Sequence, residues 1–202
     1  MFLVQNPNEI NNQGWVGIFS GSSSTVFVNN SMIGPGTPDL TFCYGIGTKS
    51  NPMPNVTFEN NMGTKCGGMV TFVNTTGTIN SNYYGISCHY VGQPYNNCFA
   101  YNGTFQGTFD KWKSATGWDA NSINNNTSAA FNSNGSPQSG APVIGAGANL
   151  TNLATGNLAT LASDTTLGGT RAAVARPPTG AWDIGAFAYK PASPTGVVVS
   201  VQ

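Results

Sequence analysis

The amino-acid sequence predicts an all-β fold: a right-handed parallel β-helix (solenoid) with one short helix and a C-terminal cap. Three observations carry this. The chain is polar while almost uncharged, two short patterns recur along residues 15–102, and a single helix signature follows where they stop.

Composition sets the class. Seven Lys and Arg balance seven Asp and Glu in 202 residues, so only 7% of the chain is charged, against about 25% in an average soluble domain. No basic surface exists for nucleic acid, and no run of apolar residues is long enough to insert in a membrane. Polarity comes instead from 25 Asn, 22 Thr and 17 Ser beside 26 Gly. With 39% hydrophobic and 11% aromatic residues, enough apolar surface exists to bury, unlike a disordered chain. Abundant Thr, Val, Phe, Tyr and Gly favour strands and tight turns.

The recurring patterns supply the architecture. One is Gly followed by an apolar residue, at Gly17-Ile18, Gly45-Ile46, Gly68-Met69 and Gly85-Ile86. The other is an apolar residue with Asn two or three places on, beginning at Phe27, Phe58, Ile79 and Phe99. A further Phe72-x-Asn74 falls outside this register. Units of about 20 to 30 residues are too small to bury their own apolar faces, so they must stack. Stacked coils lie about 4.8 Å apart, which superimposes equivalent side chains. Asn at a turn tolerates a left-handed backbone and can bond to the Asn above. The competing reading is an antiparallel sandwich with Asn-rich hairpins. The repeat region, 1–102, is expected to be truncated at its N-terminus. Residues 103–190 supply the last coil, short helix and cap, and 191–202 a linker or tail.

Four cysteines fit an oxidising compartment. Trp15, Cys43, Cys66 and Tyr83 each stand two residues before a repeat Gly, which stacks Cys43 beside Cys66 in adjacent coils. They are either a disulfide or two buried thiols. Cys88 and Cys98 could close a loop within one coil. There is no Cys-x-x-Cys and a single His, so no metal and no cofactor is expected. Eight Asn-x-Ser/Thr sequons occur, at Asn29, Asn55, Asn74, Asn102, Asn125, Asn126, Asn134 and Asn149; chance alone gives roughly five. The N-terminus lacks the basic start and apolar core of a signal peptide, so the leader of a secreted or cell-surface protein is expected upstream.

After Asn102, Thr108 reads as an N-cap, Asp110 as a first-turn acid and Gly117 as the stop of one helix. Phe109 and Trp112 share a face of it. The glycines of Ala141-Pro142-Val143-Ile144-Gly145-Ala146-Gly147 lack the strand–helix context of a nucleotide loop. Asp183 and Arg176 beside Trp182 form a candidate clasp.

The order Phe109-x-x-Trp112, Thr116-Gly117-x-Asp119-Ala120-x-Ser122, Ala141 to Gly147, Asp164, Arg176-Pro177 and Asp183-Ile184-Gly185-Ala186-Phe187-x-Tyr189 resembles the end of secreted bacterial right-handed parallel β-helix proteins. More narrowly, it is similar to the choice-of-anchor Q segment. The sequence departs from that pattern at Ala188, where Glu is usual, and in the added Arg171-Ala172-Ala173-Val174-Ala175. The resemblance implies a pectate-lyase-like β-helix at the cell surface, in a superfamily of polysaccharide lyases, hydrolases, epimerases and members without an assigned activity.

The residues offer little for chemistry. Glycoside hydrolysis usually needs two flanking acids, yet Glu9, Asp39 and Glu59 have no neighbouring acid. No Arg precedes residue 171, and no acid cluster could hold the calcium that lyases often use. Glu59, Lys65 and His89 remain as rival catalytic candidates. No Gly-x-Ser-x-Gly is present. Tyr83, Tyr84, Tyr90, Tyr95 and Tyr101 cluster among Asn80, Asn82, Asn96, Asn97 and Asn102. Aromatic faces and amides of this kind suit sugars, so these tyrosines are the candidate substrate-binding residues; covering the flank of the solenoid is their other role. The sequence therefore points to an extracellular structural or adhesive module, with neutral polysaccharide or cell-surface glycan as partner. The alternative is the C-terminal part of a polysaccharide-degrading enzyme.

Overall fold

The computed structural model describes residues 16–18, 24–34, 42–85, 98–125, 130–132, 135–164 and 172–191. They form a strand-rich structure of three mainly parallel sheets. The first joins β1 (Val16–Ile18), β4 (Phe42–Ile46), β7 (Gly68–Phe72) and β10 (Phe99–Tyr101). The second joins β2 (Val26–Val28), β5 (Met53–Glu59) and β8 (Thr75–Asn80). The third joins β3 (Ser31–Ile33), β6 (Met62–Thr64), β9 (Tyr83–Gly85) and β12 (Ile123–Asn125). The chain thus visits the sheets in rotation, and each strand from β1 to β9, β8 excepted, pairs in parallel with the one three places later. Only β11 (Thr104–Phe105) turns back, antiparallel to β10.

Parallel pairing of strands with short polar turns leaves one row of side chains to fill the centre. Phe27, Phe58 and Ile79 occupy one such row in direct register. Tyr44, Val70 and Phe99 form another, and Ile46, Phe72 and Tyr101 a third. Phe27 stacks on Phe58 with ring centroids 5.6 Å apart, and Tyr44 meets Phe58 edge-on at 5.2 Å. Burying one large apolar side chain stabilises by about 1.5–3 kcal/mol.

The apolar/Asn pattern holds for Phe27, Phe58 and Ile79 alone. Phe99 belongs to the first sheet, where it pairs with Val70, and Phe72-x-Asn74, outside the expected register, belongs beside it. Phe72 faces Tyr101, and the Asn74 N–H donates to Asn102 Oδ1 at 2.8 Å. The glycine pattern holds for the first two copies, since Gly17 pairs with Gly45. Gly68 instead pairs with Phe42, and Gly85 lies in the third sheet. Two different turns carry Asn, so one offset could not describe both.

In the fourth layer a helix replaces the strand of the second sheet. α1 (Phe109–Thr116) starts at Thr108, whose side chain accepts from Lys111 N, and stops at Gly117, with φ 72°. Trp112 enters the core between Phe72 and Phe99, 5.9 and 5.6 Å away. α1 therefore covers the last layer, the place expected for the C-terminal segment. That segment lies along the flank instead. Ala141, Val143 and Ile184 cover Met62 and Tyr83 on the outer face of the third sheet, and Leu150 and Trp182 cover Val28 of the second. Outward apolar side chains at these positions require the cover.

Candidate functional site

Turns between the second and third sheets build the most ordered polar array. Asn29, Asn60 and Ser81 adopt left-handed backbone with φ of 55–56°, a conformation Asn tolerates better than most residues. The next residues form a ladder. Asn30 N–H donates to Asn61 Oδ1 at 3.1 Å, Asn61 N–H to Asn82 Oδ1 at 2.9 Å, and Asn82 N–H to Ser122 Oγ at 2.8 Å.

The ladder ends on Asp119, which is 1% exposed. Its carboxylate accepts from Trp112 Nε1 at 2.8 Å, Ser122 Oγ at 2.5 Å, Asn82 Nδ2 at 3.1 Å and the Tyr84 hydroxyl at 3.1 Å. Burial raises its pKa; the bonds from Ser122, Trp112, Asn82 and Tyr84 oppose the rise. Burial likewise pushes the Tyr84 phenol well up, and the Asp119 charge adds to it. Composition and spacing did not single out this carboxylate. Its place in the Thr116-to-Ser122 motif was the available signal.

Asn60 fastens the C-terminal segment. Its Nδ2 donates to Ala148 O and its Oδ1 accepts from Ala148 N–H, both at 2.8 Å. Gly147 allows the approach, since a Cβ there would stand 2.7 Å from Asn60 Oδ1. Asn29, at the same turn position one layer earlier, has both amide atoms buried without a hydrogen-bond partner. The expected Asp183–Arg176 clasp takes a different form. Arg176 donates to the carbonyls of Asp183 and Gly185 at 3.0 and 2.8 Å and lies over Trp182, 5.3 Å from the ring centre. The Asp183 carboxylate accepts from Gly145 N and Tyr189 N at 2.7 and 2.6 Å. Burial lowers the Arg176 pKa, against the pull of Asp164 and Asp183.

The candidate binding tyrosines separate. Tyr84 points into the core and Tyr83 lies under the C-terminal segment against Phe131, each 0% exposed. Neither presents a ring to a ligand in this arrangement, because the third sheet is packed on both faces. Tyr101 is half-buried against Trp118 at 5.3 Å. Tyr90, Tyr95 and His89 lie outside the described residues, as do Asn96 and Asn97. Glu59 sits half-buried on the outer row of the second sheet between Val28 and Asn80, and burial raises its pKa. Lys65 is exposed in the turn after β6. The catalytic candidates that are described thus leave different sheets.

Cys43 and Cys66 are joined by a disulfide with Cα atoms 5.4 Å apart. The bond does not follow the glycine register: it links β4 to the turn before β7. Cys98 is disulfide-bonded too, while Cys88 lies outside the described residues.

Among the described residues there is no group of three or more His, Cys, Asp or Glu able to hold a metal ion, and no helix long and apolar enough to cross a membrane. An open depression of about 600 Å³ lies between β11 and α1. No family model, curated protein or solved structure matches the chain.

Proposed function

We propose that this chain is a right-handed parallel β-helix module at the outside of a bacterial cell, structural and adhesive, contacting neutral polysaccharide. The observation that carries the reading is how the described acids are used. Asp119, Asp164 and Asp183 bind backbone and side-chain donors that hold the structure, and Asp110 pairs with Lys113. Only Glu59 remains without such a bond, and one carboxyl does not make the usual acid pair. Rotation of the chain through three sheets supports the solenoid, and the disulfides support an oxidising location. The likeness to the choice-of-anchor Q segment belongs to the same proposal. Its support is that Trp112, Asp119, Ser122, Arg176 and Asp183, which carry the likeness, are the residues fastening α1 and the C-terminal segment.

A second reading rests on Glu59. Its raised pKa is a property of a general acid, as the C-terminal part of a polysaccharide-degrading enzyme would require. One experiment separates the two. The pure chain is incubated with neutral and uronate polymers, with and without calcium, following reducing ends, unsaturated products and retention on immobilised polymer. Retention on neutral polymer without new ends is expected. Turnover that vanishes in Glu59→Gln would replace the adhesive reading with the enzymatic one.

A further inference from the structure

We propose that the open edge of β2 is a docking surface for residues 2–6 of this chain, received as a further parallel strand with Leu3 over Phe27 and Asn6 continuing the Asn ladder. The proposal needs only the parallel pairing of the layers and is independent of what the module binds. Residues 2–6 lie outside the described residues; the edge that receives them does not.

The first layer is made like an interior layer and left uncovered. Among the described residues, β1, β2 and β3 each end their sheets on that side. In β2 the Thr25 carbonyl accepts from Thr57 N at 2.8 Å, and the Asn29 N–H donates to Glu59 O at 3.2 Å. These groups point to β5, so by alternation Val26 and Val28 present their N–H groups to the open side. An unpaired edge of this kind is a template for another strand. The apolar row is unfinished at the same place: Phe27 is half-buried, whereas Phe58 and Ile79 beneath it are buried.

The ladder stops short there too. Asn61 and Asn82 reach back one layer, their Nδ2 groups donating to Phe27 O at 2.8 Å and Phe58 O at 3.1 Å. Asn30 turns its Nδ2 to Val28 O of its own layer, at 2.9 Å. Asn61 Oδ1 and Asn82 Oδ1 each accept the N–H of the ladder Asn before them. Among the described residues, nothing donates to Asn30 Oδ1.

Residues 2–7 match this edge. Phe2-Leu3-Val4-Gln5-Asn6 repeats the pattern of Val26-Phe27-Val28-Asn29-Asn30, three apolar residues and then two amides. In the rotation of sheets a second-sheet strand belongs before β1. Leu3 precedes Val16 by 13 positions, while Phe58 precedes Gly68 by 10 and Phe27 precedes Phe42 by 15, so the chain is long enough for the same circuit. In later layers the residue after the ladder position donates its N–H to the layer before: Met62 to Asn30 O, Tyr83 to Asn61 O and Ile123 to Asn82 O. At that position stands Pro7, which has no N–H to leave unpaired and so blunts an edge.

The test places cysteine pairs in the full chain. In the proposed register Phe2 and Val26 both face outward, with Cα atoms about 4.8 Å apart, inside the disulfide window of about 4.4–6.8 Å. Val4 lies roughly 8 Å from Val26, outside that window. Phe2→Cys with Val26→Cys is compared with Val4→Cys with Val26→Cys under mild oxidation, and peptide mapping separates new bridges from native ones. We expect the first pair to link within one chain at least tenfold faster than the second. Equal rates, or no link, would overturn the register. A bridge between two chains would give the edge to a second copy and overturn the assignment to residues 2–6. A second measurement adds no thiol: hydrogen exchange at Val28 should be at least tenfold faster in Leu3→Asp than in the parent chain, with Trp112 unchanged. Equal exchange at Val28 in the two chains would also overturn the proposal.

Discussion

Asn29 and Asn60 make an internal comparison at the level of single residues. Both hold φ near 55°, so replacing either by Ala incurs the same backbone cost. They differ in what the amide does. Asn60 grips both polar groups of Ala148, whereas the amide atoms of Asn29 are buried and unbonded. A net hydrogen bond contributes about 0.5–1.5 kcal/mol, and leaving its partner buried costs more. Asn60→Ala should therefore destabilise by about 2 kcal/mol more than Asn29→Ala in chemical denaturation. Equal losses would show that the left-handed turn, and not the grip on Ala148, is what Asn contributes. Glu59 gives a pH signature. Burial holds its pKa above the ordinary 4.5, so the folded state binds this proton more tightly than the unfolded state. The linked stability is fully present below 4.5 and is lost as pH rises through the raised value. Between about pH 4 and pH 7 the Glu59→Gln variant should lose less melting temperature than the parent chain.

Among the elements, α1 is the one whose ends were written most clearly. Thr108 supplies an oxygen for an unpaired N–H, and Gly117 supplies the left-handed stop. Thr108→Ala should lower stability by about 1 kcal/mol, measured by thermal or denaturant unfolding. These signals are local, which is why sequence alone could place them. The Phe27, Phe58 and Ile79 row was legible for a related reason: one turn type recurs there with one residue pattern. The first sheet was harder to align. Its loops differ in length, and Gly68 serves ring packing by Phe42 and not a turn, so it imitated a repeat that its pairing does not follow. The tyrosines were misleading in a different way. Residue type shows that Tyr83 can meet a ligand, but the chain that buries it comes some sixty residues later, at Ala141 and Val143. The Asp119 centre draws its four donors from two stretches, residues 82–84 and 112–122, and no single stretch of sequence displays it.

For the whole molecule, cross-links and neutral polarity replace the charge that most domains carry. Cys43 and Cys66 are separated by 23 positions, and a loop of that size contributes about 3 kcal/mol in the chain-entropy account. Replacing both by Ala should lower the unfolding free energy by about that amount, read from the denaturant midpoint. The ladder from Asn30 to Ser122 acts over a similar span. All three of its backbone links donate in the same sense, from the first layer toward the fourth, so their dipoles add end to end. Hydrogen bonds in such a chain polarise one another, and the positive end meets the negative carboxylate of Asp119. Asp119 is the terminal acceptor of the array, reached through the Ser122 hydroxyl. Asp119→Ala should therefore displace the amide-proton resonance of Asn30, three layers away, as well as destabilise the fold by at least ~3 kcal/mol through its abandoned donors. A nuclear magnetic resonance probe in the first layer would thus report the charge of a side chain in the last.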